Sequence, residues 1–200
     1  MTWIKPLSYN TFQRVFDFGN GFTNRNLVLA FVKKTSGALL YVDGKSKEAT
    51  DVFPLNIWTH VAVTSTNNDM IFYLNGEQKF VLDGSLERAE TKLNYIGKSQ
   101  SARDSNIDAV LDEFKIFNRS LTEEEIKKEE NIVDLVTTTK PKIFTEGLVH
   151  YWPMAGSKKD ILGNRDIIKL ESANYEVDRF GNADSGEKIF FYNSNCKYNQ

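Results

Sequence analysis

Apolar and polar residues alternate along the first two-thirds of the chain in short runs with a period of two. From Ile57 to Thr64, Ile57, Thr59, Val61 and Val63 fall on one face and Trp58, His60, Ala62 and Thr64 on the other, so the run reads as a strand. A second run, Met70 to Leu74, meets Asn75-Gly76, and a third begins at Glu77. Asn-Gly supplies the positive φ angles of a two-residue type I′ hairpin, which makes these three neighbouring strands antiparallel. Further strands are expected at Thr2 to Lys5, Phe12 to Phe18, Leu27 to Lys33, Ala38 to Val42, Leu93 to Ile96 and Val110 to Phe117. Asp43-Gly44 and Asp83-Gly84 mark turns. Many short strands at regular spacing predict an all-β, antiparallel sandwich of the jelly-roll kind rather than alternating β and α units.

One segment breaks the period. In "SLTEEEIKKEEN", Thr122 and Glu125 form a capping box and Leu121 and Ile126 a hydrophobic staple. The acids fill the first turn, so one short helix is expected. Residues 131–145, with a Thr run and Lys-Pro-Lys, read as a linker. After it Leu148, His150 and Trp152 alternate with Val149 and Tyr151 up to Pro153, and a last apolar run spans Lys188 to Tyr192.

The chain's 200 residues suffice for one sandwich. A net charge of −2 with scattered Lys and Arg gives no basic field for nucleic acid. No apolar run approaches the ~18–20 residues of a bilayer span, and residues 1–20 lack a leader pattern, so membrane insertion is not expected. Cys196 is the single cysteine, which rules out an internal disulfide.

Four motifs in order, "WTHVAVT…NDMIFYLNGE", "LNYIGKS", "LDEFKIFNRSLTEEEI" and the early "WIKP", resemble the later part of a laminin-G-like jelly roll of the concanavalin A-like superfamily. "EGLVHYWPMAGSKKDILGNRDI" and "VDRFGNADSGEKIFF" resemble the opening of a domain of the same family. The resemblance implies that residues 1–130 form a jelly roll lacking its opening strands and that 146–200 supply opening strands of a second repeat. The linker reaches ~50 Å when extended. Two outcomes follow: the second segment closes the first sandwich as a circular permutant, or it docks loosely and swaps into another copy.

Candidate chemistry is sparse. Asp112 is expected to share a strand face with Phe114 and Ile116 and so to need a compensating partner. That partner is either a cation or the backbone N–H groups of a neighbouring loop. The resemblance permits Ca²⁺, for which Asp112, Asp160 and Asn164 are oxygen ligands of the right kind. Asp178, in Asp-Arg-Phe-Gly-Asn, reads as a hydrogen-bonded turn. His60, His150, Trp58 and Trp152 read as packing residues, while Tyr41, Tyr73 and Tyr151 are the aromatic candidates for a glycan. No paired carboxylates at hydrolase spacing, nucleophile motif or phosphate loop occurs, so no enzyme is expected. Asn118-Arg119-Ser120 is an N-glycosylation sequon.

The expectation is a non-catalytic extracellular or cell-surface module. It binds glycans or glycosylated protein through loops such as Asp17–Arg25 and Ser99–Asn106, with strand-swapped self-association as a possible partner mode. The alternatives are a structural spacer or an appended domain of a larger glycoside hydrolase.

Overall fold

The computed structural model describes residues 1–21, 25–85, 91–130, 145–155, 157–163, 165–167, 173–183 and 186–190. Its strands are β1 (Thr2–Pro6), β2 (Arg14–Gly19), β3 (Leu27–Phe31), β4 (Ala38–Val42), β5 (Lys45–Ala49), β6 (Thr59–Ser65), β7 (Asp69–Leu74), β8 (Glu77–Asp83), β9 (Leu93–Ile96), β10 (Asp108–Asp112) and β11 (Phe114–Phe117). Helix α1 (Glu123–Glu130) follows, then β12 (Leu148–Trp152), β13 (Ala173–Glu176) and β14 (Gly186–Phe190).

These strands make an antiparallel sandwich. A seven-stranded sheet has the order β13-β14-β10-β1-β6-β7-β8, a five-stranded sheet the order β5-β4-β3-β2-β9, and β11 pairs separately with β12. Inward residues of both sheets form one core, with Ile4, Phe72 and Leu111 from the larger and Phe31, Leu29 and Leu40 from the smaller, all nearly inaccessible. Fully burying such a side chain contributes roughly 1.5–3 kcal/mol, so the sheets need no metal or disulfide to stay together.

The turn chemistry works as the sequence predicts. Asp43-Gly44 and Asn75-Gly76 both have positive φ and close two-residue hairpins between Val42 and Lys45 and between Leu74 and Glu77. The first hairpin creates β5, whose sequence KSKEA is exposed at its first four positions and has no apolar signature. The capping box is also present. Thr122 N donates to Glu125 Oε2 at 2.8 Å and Glu125 N to Thr122 Oγ1 at 3.3 Å, while Leu121 and Ile126 pack with Ala62 and Tyr73.

The expected continuous strand Val110–Phe117 is corrected. Glu113 takes a left-handed conformation (φ 51°) and divides it into β10 and β11. The break resets the alternation: Leu111 and Phe114 both enter the core, and Asp112 points away from it. Asp112 therefore does not share a face with Phe114.

The second segment pairs with the first. β14 runs antiparallel to β10, with Ala109 opposite Ile189, and β12 runs antiparallel to β11, with Phe114 opposite Trp152. Trp152, 1% exposed, belongs to the same core as Phe114 and Phe16.

Candidate functional site

Three polar arrangements surround the sandwich. The first lies on the outward side of β2. Asp17 pairs across the ladder with Val28 and Tyr95, so its carboxylate leaves the core face yet is still buried. Gln100 N and Nε2 donate to Asp17 at 3.0 and 2.9 Å, and Asn26 Nδ2 donates at 3.2 Å. Burial raises the Asp17 pKa, opposed by the Gln100 backbone bond and the Arg14 charge. Arg14 Nη2 bonds Asp104 Oδ2 at 2.7 Å, and Ser99 Oγ donates to the same oxygen. Gly21 N donates to Gln100 Oε1, so Gln100 ties the loop after β2 to the loop after β9. A Cβ on Gly19 would meet the Asn26 side chain at 2.5 Å, which is why the close approach requires glycine there. The two loops expected to carry a ligand are thus brought together, and among their described residues Asp17, Gly21, Ser99, Gln100 and Asp104 are bonded within this cluster.

The second arrangement joins β1, β10 and the turn 178–182. Asp178 organises the turn, its Oδ1 accepting Phe180 N and Asn182 N at 2.8 and 2.9 Å and its Oδ2 accepting Asn182 Nδ2 at 2.8 Å. The turn sets Arg179, whose side chain is 5% exposed, against Glu113 (Nη2 to Oε2, 3.3 Å) and over the Trp3 ring at 4.6 Å. Lys115 Nζ bridges Glu113 Oε2 (3.3 Å) and Glu129 Oε2 (2.6 Å). Burial and then the Glu113 charge push the Asp112 carboxyl up to about 7, against the pull of Arg179, whose backbone N–H bonds it. A loop backbone group is therefore its partner. Adjacent strand residues point to opposite faces, but the left-handed Glu113 leaves both its own carboxylate and that of Asp112 within the influence of Arg179.

The third surrounds Asp160, which is almost inaccessible. Its Oδ1 accepts Tyr151 N (2.9 Å) and Leu162 N (3.1 Å), and its Oδ2 accepts Arg165 N (3.2 Å) and bonds His150 Nδ1 (2.7 Å). Burial alone would raise its pKa, but these bonds hold it below the usual carboxylate range. His150 also stacks on Trp152, ring centroids 5.2 Å apart.

Asp160 does not fit a Ca²⁺ ion, because four donors already occupy its lone pairs. Asp112 lies against a cation and an N–H group, and Asn164 falls outside the described residues. Among the described residues no group of three or more His, Cys, Asp or Glu is placed to hold a metal ion. Asn118 of the sequon is exposed at the end of β11.

The aromatic expectations shift. Tyr73 and Tyr151 are buried and Tyr41 half-buried, so two of the three glycan candidates are inaccessible. Trp58, expected in the core, is instead half-buried with Lys5 Nζ 5.2 Å from its ring centre. Trp3 is on the same face of β1 as Lys5 and is likewise half-buried; His60 tilts against it at 5.2 Å. Phe180, 37% exposed, has the Arg179 guanidinium 4.2 Å from its ring centre. The outward face of the seven-stranded sheet therefore carries three partly exposed rings, each with a cation against it. Trp3, Lys5, Arg179 and Phe180 carry no motif in the sequence that marks them as a group. Only the alternation of Trp3 and Lys5 in "WIKP" carried a signal.

A family model described as the concanavalin A-like lectin/glucanases superfamily, of laminin-G type, matches residues 1–127. The chain belongs to this family. Among solved structures it resembles a "putative carbohydrate binding protein" from Bacteroides ovatus ATCC 8483, with a TM-score of 0.61 and 18% identity over 81% of this chain and 48% of the other. The chain thus spans about half the length of that protein. A second match, an S-layer domain-containing protein from Clostridium thermocellum ATCC 27405, has 23% identity over 60% of this chain and 63% of the other, with a TM-score of 0.35. No curated protein matches the chain.

Proposed function

We propose that this laminin-G-like module is a non-catalytic, cell-surface or extracellular glycan-binding domain, and that its recognition surface is the outward face of the seven-stranded sheet around Trp58, Lys5, Trp3 and Phe180. The carrying observation is the set of partly exposed rings backed by cations. A pyranose presents an apolar C–H face that stacks on an aromatic ring and hydroxyls that accept from a nearby ammonium, which Trp58 and Lys5 supply side by side. The carbohydrate-binding description of the Bacteroides ovatus protein supports the reading.

The same family fold serves glycoside hydrolases, whose mechanism needs two accessible carboxylates. Asp112 and Glu113 are the nearest approach to such a pair, and they are covered by Arg179. We therefore favour binding over hydrolysis. The greater length of the Bacteroides ovatus protein is compatible with this chain serving as one module of a larger one. Glycan-array screening followed by isothermal titration tests the proposal: the wild-type chain binds at least one oligosaccharide class, Trp58→Ala weakens binding about tenfold or more, and no hydrolysis products form. Absence of any array hit favours a structural spacer instead.

A further inference from the structure

Strand β1 ends at Thr2, but its ladder does not. Met1 and Lys115 exchange both backbone bonds, Lys115 N to Met1 O and Met1 N to Lys115 O, each 2.9 Å, as in a hydrogen-bonded antiparallel pair. On the other side Thr2 stands opposite Val61, where the β1–β6 pairing stops. β6 continues to Ser65 and β11 to Phe117 with no strand between them among the described residues. A cleft of about 1080 Å³ fills that space, walled by Val61–Asn67 on one side and Phe114–Leu121 on the other.

The hydrogen-bonding direction along β6 can be read from its far edge. His60 O accepts Asn75 N and Thr66 N donates to Asp69 O, so even-numbered residues turn their polar groups toward β7. Odd-numbered residues turn theirs to the other side. There Val61 meets Thr2, Ser65 O accepts the Ser120 hydroxyl, and the N–H and C=O of Val63 face the cleft. Phe16, Phe18 and Leu29 line the cleft from the core side and Ala62, Phe117 and Leu121 from the side of α1, with Thr91, Asn94 and Arg165 also bordering it.

We propose that this cleft is a strand-acceptor site. Its occupant is an extended, apolar peptide segment of about four residues, ~13 Å long, laid in line with β1 and antiparallel to both β6 and β11. The residue just ahead of Met1 in the ladder stands opposite Val63 and continues the register set by Thr2–Val61. Its side chain falls on the core side with that of Thr2, and the next one out falls on the α1 side with that of Met1. A fitting segment therefore meets apolar side chains on both of its faces, Phe16 and Leu29 on one and Ala62 and Leu121 on the other. The walls favour a peptide over a glycan or a small amphiphile, because they are two backbone edges already in register with one strand.

The test fuses Ile-Val-Ile-Val or Gly-Ser-Gly-Ser ahead of Met1 in the full chain. Amide hydrogen exchange at Val63, the melting temperature, and fluorescence of an apolar naphthalene-sulfonate dye are then measured. The apolar segment is expected to slow exchange at Val63 tenfold or more, raise Tm by several degrees and displace the dye, with the Gly-Ser segment doing none of these. Equal exchange at Val63 in both fusions overturns the proposal. So does dye binding unchanged by the apolar segment, which would make the cleft a small-molecule site.

Discussion

The outward faces of the two sheets solve opposite problems. On the five-stranded sheet Asp17 is sealed beneath Gln100, Asn26 and Arg14, and Arg14 is in turn engaged by Asp104, so the carboxylates there are held by neighbouring loop groups. On the seven-stranded sheet the charges are set against ring faces, and the rings keep surface in water. Buried polar groups with mutual partners rigidify loops but leave little to offer a ligand, whereas half-exposed rings are stable in water and gain from a partner that covers them. Of the two tryptophans expected in the core, Trp152 is there and Trp58 instead lies half-buried on this outward face.

Both faces should matter for stability, and only one for binding. Arg179→Ala strips the half-buried Glu113 of one of its two cations and uncovers Trp3, and Asp17→Ala leaves Arg14 and Gln100 facing an empty site. Each is expected to lower unfolding free energy in denaturant melts by about 3 kcal/mol, the usual cost of breaking a buried charged pair. Only Arg179→Ala should also reduce glycan affinity, and a matching loss in Asp17→Ala would erase the distinction between the faces.

A further effect concerns pH. Asp112 has a folded pKa near 7, above its ordinary value of 3.8, so the folded state holds its proton more tightly than the unfolded state does. Its ionisation therefore costs stability progressively as pH rises from about 4 to about 7, at up to about 1.4 kcal/mol per unit, and the cost is constant above that. Asp112→Asn should flatten this part of the stability profile and be the more stable protein at pH 8. A mutant profile parallel to wild type from pH 4 to 7 would contradict the assignment. Smallest of all, Ca²⁺ and chelator should give the same Tm, because the donors on Asp160 leave no lone pair for the ion; a rise of several degrees with Ca²⁺ would contradict that.

Most of the scaffold was legible from local chemistry. Asn75-Gly76, Asp43-Gly44 and the Thr122–Glu125 box act through neighbours a few residues away, so the sequence shows cause and partner together. β5 was invisible because its pairing comes from the hairpin and not from apolar residues of its own. The strand break at Glu113 was invisible because no glycine or proline marks it, and misplacing it turned Asp112 to the wrong face. The ring–cation face joins residues 3, 5, 58, 179 and 180, which are adjacent only once β1 lies beside β6 and the turn after β13 covers β10; no spacing in the chain encodes that.

The chain's three tryptophans make the central claim directly measurable. Each gives one indole N–H signal in a ¹H–¹⁵N spectrum, and Trp152 serves as an internal control because it is buried with its Nε1 donating to Arg165 O at 2.9 Å. Titrating the glycan selected by the array should shift the Trp58 and Trp3 indoles in a saturable manner and leave Trp152 in place. Movement of Trp152 alone, or of none of the three during saturable binding, would contradict recognition by the outward face of the seven-stranded sheet.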